Sequence, residues 1–106
     1  MTTIRVMAND KNLTIISNPV IASGNIETVI LHVDFSEEWS GYGKTAEFYQ
    51  DKEHVYHVGL NTQNECFIPW EAMQTEGFMY FGIFGTKDNM RKSSEVIRYK
   101  IKKGCA

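Results

Sequence analysis

The segment DFSEEWSGYGKTAEFYQD (34–51) contains the side chains of this chain that are best suited to chemistry. Three carboxylates, among them the adjacent Glu37 and Glu38, precede two aromatic rings, Trp39 and Tyr42. Two carboxylates can act as acid and base in glycoside hydrolysis when a cleft holds them at a fixed separation. Adjacent acids in a loop lack that separation, so we predict that the protein is not an enzyme. The segment is predicted to be a corner between strands, in which Trp39 covers the core.

Exposed aromatic rings offer a second kind of chemistry, because their apolar faces can stack on sugars. Trp39, Tyr42 and Trp70 are the candidates for such a glycan-binding site. Aromatic residues of alternating strands more often belong to the core or to a protein interface. Recognition of host-surface glycans through these three residues is therefore the alternative hypothesis for the function of the chain.

The histidines and cysteines do not have the spacing of a metal site. His54 and His57 are three residues apart, which directs them to opposite faces of a strand, and His32 is isolated. Zinc would need further ligands at regular spacing, which the sequence lacks. Cys66 and Cys105 are too few for a disulfide framework, and we expect reduced thiols unless an oxidising setting pairs them. No metal and no cofactor is predicted.

Gly82 and Gly85 within FGIFGTK do not form a nucleotide-binding loop. They lie inside and at the end of a predicted strand that no helix follows, whereas phosphate loops lead into a helix N-terminus. The net charge of -2 and the pI near 5.9 likewise give no reason to expect a nucleic-acid partner. The basic residues near the C-terminus are predicted to occupy the solvated face of a strand.

Length and hydropathy indicate a single folded domain. The chain has 106 residues, 42% of them hydrophobic and 23% charged, which suffices for one core. No apolar run approaches the roughly 20 residues of a membrane-spanning helix, and the N-terminus MTTIRVMAND lacks the layout of a secretion signal. We expect residues 1–106 to form one domain that is made in the cytoplasm without a membrane partner, alone or as the N-terminal part of a longer protein.

Alternation of apolar and polar residues with period two is the dominant pattern of the chain. It is clearest in IETVILHVDF (26–35) and EVIRYKIKKG (95–104), and polar turns separate such runs at roughly 8–12 residue intervals. The pattern predicts an all-β, immunoglobulin-like β-sandwich of about seven or eight strands. The exception is PWEAMQTEG (69–77), where Pro69 and Gly77 bracket good helix formers and predict one short helical turn.

Two further expectations concern apolar side chains. Trp70 or Met73 is expected to plug the core where the helical turn crosses between the sheets. The strand FMYFGIFG (78–85) is apolar on both faces, which is unusual for a strand with one side in water. Its residues Met79, Phe81 and Ile83 are therefore the candidate interface, buried against either the second sheet or a partner.

The motifs DFSEEWSGYGKTAEFY, VYHVGL, CFIPWEAM and FMYFGIFGTK follow one another along the chain. In this order they resemble a β-sandwich domain found near the N-terminus of structural proteins of phages and prophages of Firmicutes. The resemblance covers about Val29 to Ile101 and supplies no catalytic residues. It implies a non-enzymatic module associated with a phage tail, baseplate or fibre, which docks on other virion proteins or on itself as a homo-oligomer. The final location of such a protein would be the virion.

Overall fold

A computed structural model describes residues 2–24 and 28–104, which form two sheets. The strands are β1 (Thr2–Asn9), β2 (Asn12–Ser17), β3 (Ile21–Ala22), β4 (Val29–Phe35), β5 (Gly43–Tyr49), β6 (Val55–Gly59), β7 (Glu65–Phe67), β8 (Gly77–Lys87), β9 (Met90–Ser93) and β10 (Ile97–Lys102). Two 3-10 turns cover Glu37–Trp39 and Trp70–Met73. The all-β class is confirmed. The described residues contain ten strands, more than the seven or eight expected. β3 and β9 were not predicted, because they are too short or too polar to show alternation in the sequence.

The two sheets differ in size and contain both parallel and antiparallel pairs. The four-stranded sheet has the order β2-β1-β4-β7, and the six-stranded sheet has the order β3-β10-β8-β5-β6, with β9 also paired to β8. β1 runs parallel to β4, and β3 runs parallel to β10. The other pairs are antiparallel, including the long pair of β5 and β8. Each parallel pair joins segments far apart in the chain, so local alternation cannot predict it.

The core lies between the sheets and follows the period-two pattern. Val29, Leu31 and Val33 of β4 are completely buried, as their alternation predicts. Trp39 is also completely buried, and its indole Nε1 donates a hydrogen bond of 2.7 Å to the carbonyl oxygen of Asp10. The segment between β4 and β5 is therefore a corner with Trp39 over the core, as predicted.

The predicted interface residues belong to this core. Met79, Phe81 and Ile83 are at most 2% exposed. They lie on the inner side of the six-stranded sheet, where the register places Phe48 of β5 opposite Phe81 and Ala46 opposite Ile83. Of the two expected alternatives, the structure shows burial against the second sheet. The candidate interface is corrected accordingly, because these three side chains are not at the surface of the folded chain.

The second 3-10 turn connects the sheets in the predicted way. It follows β7 of the four-stranded sheet and precedes β8 of the six-stranded sheet. Met73 is the side chain that plugs the core, with 2% exposure, while Trp70 is 42% exposed. The crossing is thus closed by an aliphatic side chain, and the tryptophan stays at the surface.

Candidate functional site

The outer side of the six-stranded sheet carries a second set of apolar side chains. The register places Tyr49 of β5 between Tyr80 of β8 and Val55 of β6. Phe78 and Phe84 share the side of Tyr80, because alternate residues of a strand point the same way. Phe78 is 38% exposed and Val55 42%, and the other three side chains are half-buried. We call these five residues the outer aromatic face.

Contacts between rings join side chains of neighbouring strands at two places on this side of the sheet. The rings of Tyr49 and Tyr80 stack with their centroids 5.4 Å apart and an interplanar angle of 17°. The imidazole of His57 in β6 meets the ring of Phe84 edge-on at 5.3 Å, and its Nε2 lies 3.0 Å from a carboxylate oxygen of Glu47. Such aromatic pairs contribute about 1 kcal/mol beyond the burial of their area. These contacts thereby hold the side chains in place within the folded chain.

Two arginines cover phenylalanine rings of the face. The guanidinium carbon of Arg91 in β9 lies 4.4 Å from the ring centroid of Phe84, and that of Arg98 in β10 lies 4.5 Å from the centroid of Phe78. A stacked guanidinium keeps N–H groups around its edge that can bind a carboxylate in a bidentate way. Within residues 2–24 and 28–104, neither Arg91 nor Arg98 forms an ion pair. Both are therefore oriented cations, and no carboxylate of the described residues forms an ion pair with either of them.

A small pocket opens in the middle of this side of the sheet, at Gly82. It has a volume of about 110 Å³, and its lining includes Glu47, Phe84, Arg91 and Val96. The connection between β9 and β10 passes close to the glycine, so that a Cβ placed on Gly82 would lie 3.4 Å from Cγ2 of Val96. The absence of a side chain at Gly82 thus allows this connection to approach the strand.

The carboxylates of the corner do not form an acid–base pair. Glu37 and Glu38 are exposed in the 3-10 turn between β4 and β5. A hydrogen bond from the Ser36 hydroxyl is the main cause that holds the pKa of Glu38 below its usual range. A general acid of a glycosidase needs the opposite shift, a raised pKa. The geometry therefore gives no support to acid–base chemistry at this corner.

The three aromatic residues predicted to bind glycans do not meet in one platform. Trp39 is buried, and the half-buried Tyr42 contacts it edge-on with the ring centroids 6.2 Å apart. Tyr42 precedes β5, whereas the residue that follows β5, Gln50, binds the backbone of Thr75 beside the second 3-10 turn. Trp70 in that turn therefore lies near the end of β5 opposite to Tyr42, and the seven residues of β5 span about 20 Å between the two ends.

Each of the three histidines lies within hydrogen-bonding distance of a carboxylate. The ring nitrogens of His32 lie 3.0 Å from Glu65 and 3.1 Å from Asp34. The Arg5 guanidinium also contacts Asp34, and its hydrogen bond is the main cause that lowers the pKa of the Asp34 carboxyl. In the part of the chain that the structure describes, no group of three His, Cys, Asp or Glu is arranged to hold a metal ion.

The thiol of Cys66 is part of the fold rather than a reactive group. Its side chain is 7% exposed, and burial raises the pKa of the thiol to about 12. A thiol with so high a pKa has almost no thiolate at neutral pH and is a poor nucleophile. Cys105, and with it the question of a bond to Cys66, lies outside the described residues.

Sequence reasoning missed the outer aromatic face although its signal was present. The apolar character of β8 on both sides indicated more than one buried surface, but the alternate residues Phe78, Tyr80 and Phe84 were not separated from the inner set. Arg98 lies on the solvated face of β10, as predicted. Its stacking on Phe78 depends on strand neighbours that a single strand pattern does not reveal.

No helix in the two described stretches is both long and apolar enough to cross a membrane. Comparison of the chain with family models, with curated proteins and with solved structures gave no match. The resemblance to phage structural domains therefore remains a prediction from sequence motifs.

Proposed function

We propose that this chain is a non-enzymatic structural module of a phage or prophage virion that docks on other virion proteins through the outer aromatic face. The observation that carries the proposal is the grouping of Phe78 and Val55, both exposed, with Tyr49 and Tyr80 on one side of a sheet. Interface centres are enriched in aromatic residues and arginine, and contiguous exposed apolar surface is typical of binding sites. The class of partner comes from the sequence resemblance.

The proposed contact surface is the outer side of β8, whereas the sequence indicated the residues that lie on its inner side. The inner residues are already covered by the four-stranded sheet, whereas Phe78 and Val55 on the outer side are 38% and 42% exposed. Burying an exposed phenylalanine in an interface contributes roughly 2 kcal/mol. Several such side chains in one patch are the usual arrangement of a binding hot spot.

The proposal is tested on particles purified from induced cells that encode the chain. A Phe78→Ser, Tyr80→Ser double variant is compared with the wild type and with Phe67→Ser. Phe67 is a matched control, because it is 65% exposed but lies in β7 of the other sheet. We expect wild type and Phe67→Ser to co-sediment with the particles. The double variant should be absent from the particles, although its circular dichroism spectrum is that of the native fold.

Two results would contradict the proposal. The first is a wild-type chain that never co-sediments with particles, which would remove the virion role. The second is a double variant that is incorporated as well as the wild type, which would remove the outer aromatic face as the docking surface.

Glycan recognition is the less supported alternative. Sugars stack on open ring faces, but guanidinium groups cover Phe78 and Phe84, and the rings of Tyr49 and Tyr80 stack on each other. Trp70 is the most exposed of the three predicted stacking residues. A glycan array probed with wild type and Trp70→Ala decides the matter, since saturable binding that the variant loses would favour this function.

A further inference from the structure

The outer side of the six-stranded sheet has a charge opposite to that of the whole chain. The chain carries a formal net charge of -2. The strands of this side nevertheless present more cations than anions, because Glu47 is the only carboxylate among their outward residues that the structure describes. The outward cations are Arg91, Arg98, Lys100 and Lys102. This separation of charge indicates an anionic partner.

The cations lie at the two ends of the outer aromatic face. Arg91 stacks on Phe84 and Arg98 on Phe78, and these two phenylalanines are six residues apart along β8. A rise of about 3.3 Å per residue puts the two guanidinium groups roughly 20 Å apart. Tyr80, Val96 and the carboxylate of Glu47 lie between them. The surface thus has apolar side chains and one carboxylate between two oriented cations.

We propose that the outer aromatic face binds an acidic polypeptide surface that places carboxylates on Arg91 and Arg98 and apolar or aromatic side chains between them. This inference rests on the proposed function, and it adds the chemistry of the partner. Guanidinium and carboxylate groups form bidentate, charge-assisted hydrogen bonds, which fix both distance and orientation. The apolar side chains supply burial that a purely ionic ligand could not use.

The same features argue against nucleic acid as the occupant. Single-stranded nucleic acids stack their bases on open aromatic faces along a continuous basic groove. Here the faces of Phe78 and Phe84 are occupied by guanidinium groups, and Glu47 lies in the middle of the face beside the pocket at Gly82. A protein partner with two separated carboxylates can bind both guanidinium groups while each of them stays stacked on its phenylalanine ring.

The test uses the random copolymer poly(Glu,Tyr) as an acidic, aromatic polypeptide probe for the full chain. Binding is followed by fluorescence anisotropy of the labelled polymer at two salt concentrations. We expect saturable binding to the wild type that weakens with salt, and a loss of roughly tenfold or more in Arg91→Gln, Arg98→Gln. The control variant Arg5→Gln, Lys11→Gln makes the same change of charge in β1 and in the β1–β2 turn, away from the six-stranded sheet, and should bind like the wild type.

Poly(Lys,Tyr) and an oligothymidylate of 20 nucleotides serve as competing probes. The proposal is overturned if the wild type does not bind poly(Glu,Tyr), if the two double variants lose binding equally, or if either competing probe binds more tightly than poly(Glu,Tyr). Particle incorporation is scored separately. Polymer binding without incorporation would retain the surface chemistry and remove the virion role, and incorporation without polymer binding would do the reverse.

Discussion

The indole of Trp39 joins three segments that are far apart in the chain. It packs on Phe35 at the end of β4 and donates a hydrogen bond to the carbonyl oxygen of Asp10 in the β1–β2 turn. Its ring centroid lies 5.5 Å from Nζ of Lys92 in β9. Lys92 in turn forms an ion pair with Asp10. One buried side chain thus fixes the corner against both sheets, which explains why it cannot serve as an exposed sugar platform.

Trp39→Phe is expected to lower the free energy of unfolding by about 2 kcal/mol. The smaller ring leaves buried volume unfilled, and the Asp10 carbonyl loses its donor. Urea denaturation followed by far-ultraviolet circular dichroism measures the change. The control is Trp70→Phe, whose side chain is exposed and whose substitution should change stability by less than about 0.5 kcal/mol. Equal losses in both variants would contradict this role of Trp39.

Asp34 makes the stability of the fold depend on pH. Its pKa is lowered chiefly by the hydrogen bond from Arg5, so the folded state holds the ionised form better than the unfolded state does. That contribution is fully present above the ordinary carboxyl pKa of 3.8 and is lost as the pH falls through the lowered folded value. We therefore expect the stability difference between wild type and Asp34→Asn to shrink below about pH 4.

Urea denaturation of both proteins at a series of pH values from neutral to acidic measures this difference. Glu76→Gln is the control, since Glu76 is an exposed carboxyl in the connection that leads into β8. A gap between wild type and Asp34→Asn that stays constant or widens on acidification would refute the role given to the Arg5–Asp34 pair.

At the scale of elements, β8 depends on a glycine at its centre. A Cβ on Gly82 would lie 3.2 Å from the carbonyl oxygen of Glu95, in the connection between β9 and β10. The N–H of Glu95 donates to the carbonyl oxygen of Lys11 in the β1–β2 turn, and its carboxylate accepts from the N–H of Leu13 in β2. Gly82→Ala is therefore expected to destabilise the protein by about 1 kcal/mol, because the connection must shift. Thermal unfolding measures the effect.

Gly59 in β6 provides the matched comparison for Gly82. A Cβ at Gly59 meets no heavy atom within 4 Å, so Gly59→Ala should be neutral or slightly stabilising. The same substitution in two strands of one sheet separates crowding from the general effect of removing a glycine. If both variants unfold at the same temperature, the close approach at Gly82 does not affect the free energy of unfolding.

Elements with a clear pattern could be predicted from the sequence, and those defined by distant partners could not. β4 and β10 have strict alternation, and both are strands with the expected side inside. The helical turn after Pro69 is present because proline and the following helix formers act locally. β3 has two residues and exists only through its pairing with β10, so nothing in its own sequence indicates it.

The candidate surface shows the same division between local and distant information. Alternation separates the inner residues of β8 from the outer ones, yet it does not say which side the second sheet covers. Arg91 and Phe84 come together because β8 and β9 form a hairpin, and Arg98 meets Phe78 because β10 pairs with the first half of β8. Both arginine–phenylalanine pairs therefore depend on register across strands, which the sequence of either strand alone does not specify.

At the scale of the whole molecule, the parallel pairs tie the two ends of the chain into the sheets. β1 lies beside β4, and β10 lies beside β3, so each sheet contains a pair of strands that are distant in sequence. The side chains between the sheets form one continuous apolar cluster with contributions from both. Neither sheet can keep its inner side buried when the other is absent, which makes separate unfolding of the sheets unfavourable.

We therefore expect the chain to unfold in one cooperative transition with a heat-capacity increase of about 1.4 kcal/mol/K. Fluorescence of Trp39, followed in a Trp70→Phe background, reports on the corner and the core, while far-ultraviolet circular dichroism reports on all strands. The two signals should give the same midpoint in urea, because the corner contacts both sheets and loses its burial when either one opens. Calorimetric and van't Hoff enthalpies should also agree. A Trp39 signal that changes at lower urea than the circular dichroism would show that the corner opens before the sheets, and would remove the shared core as the source of stability.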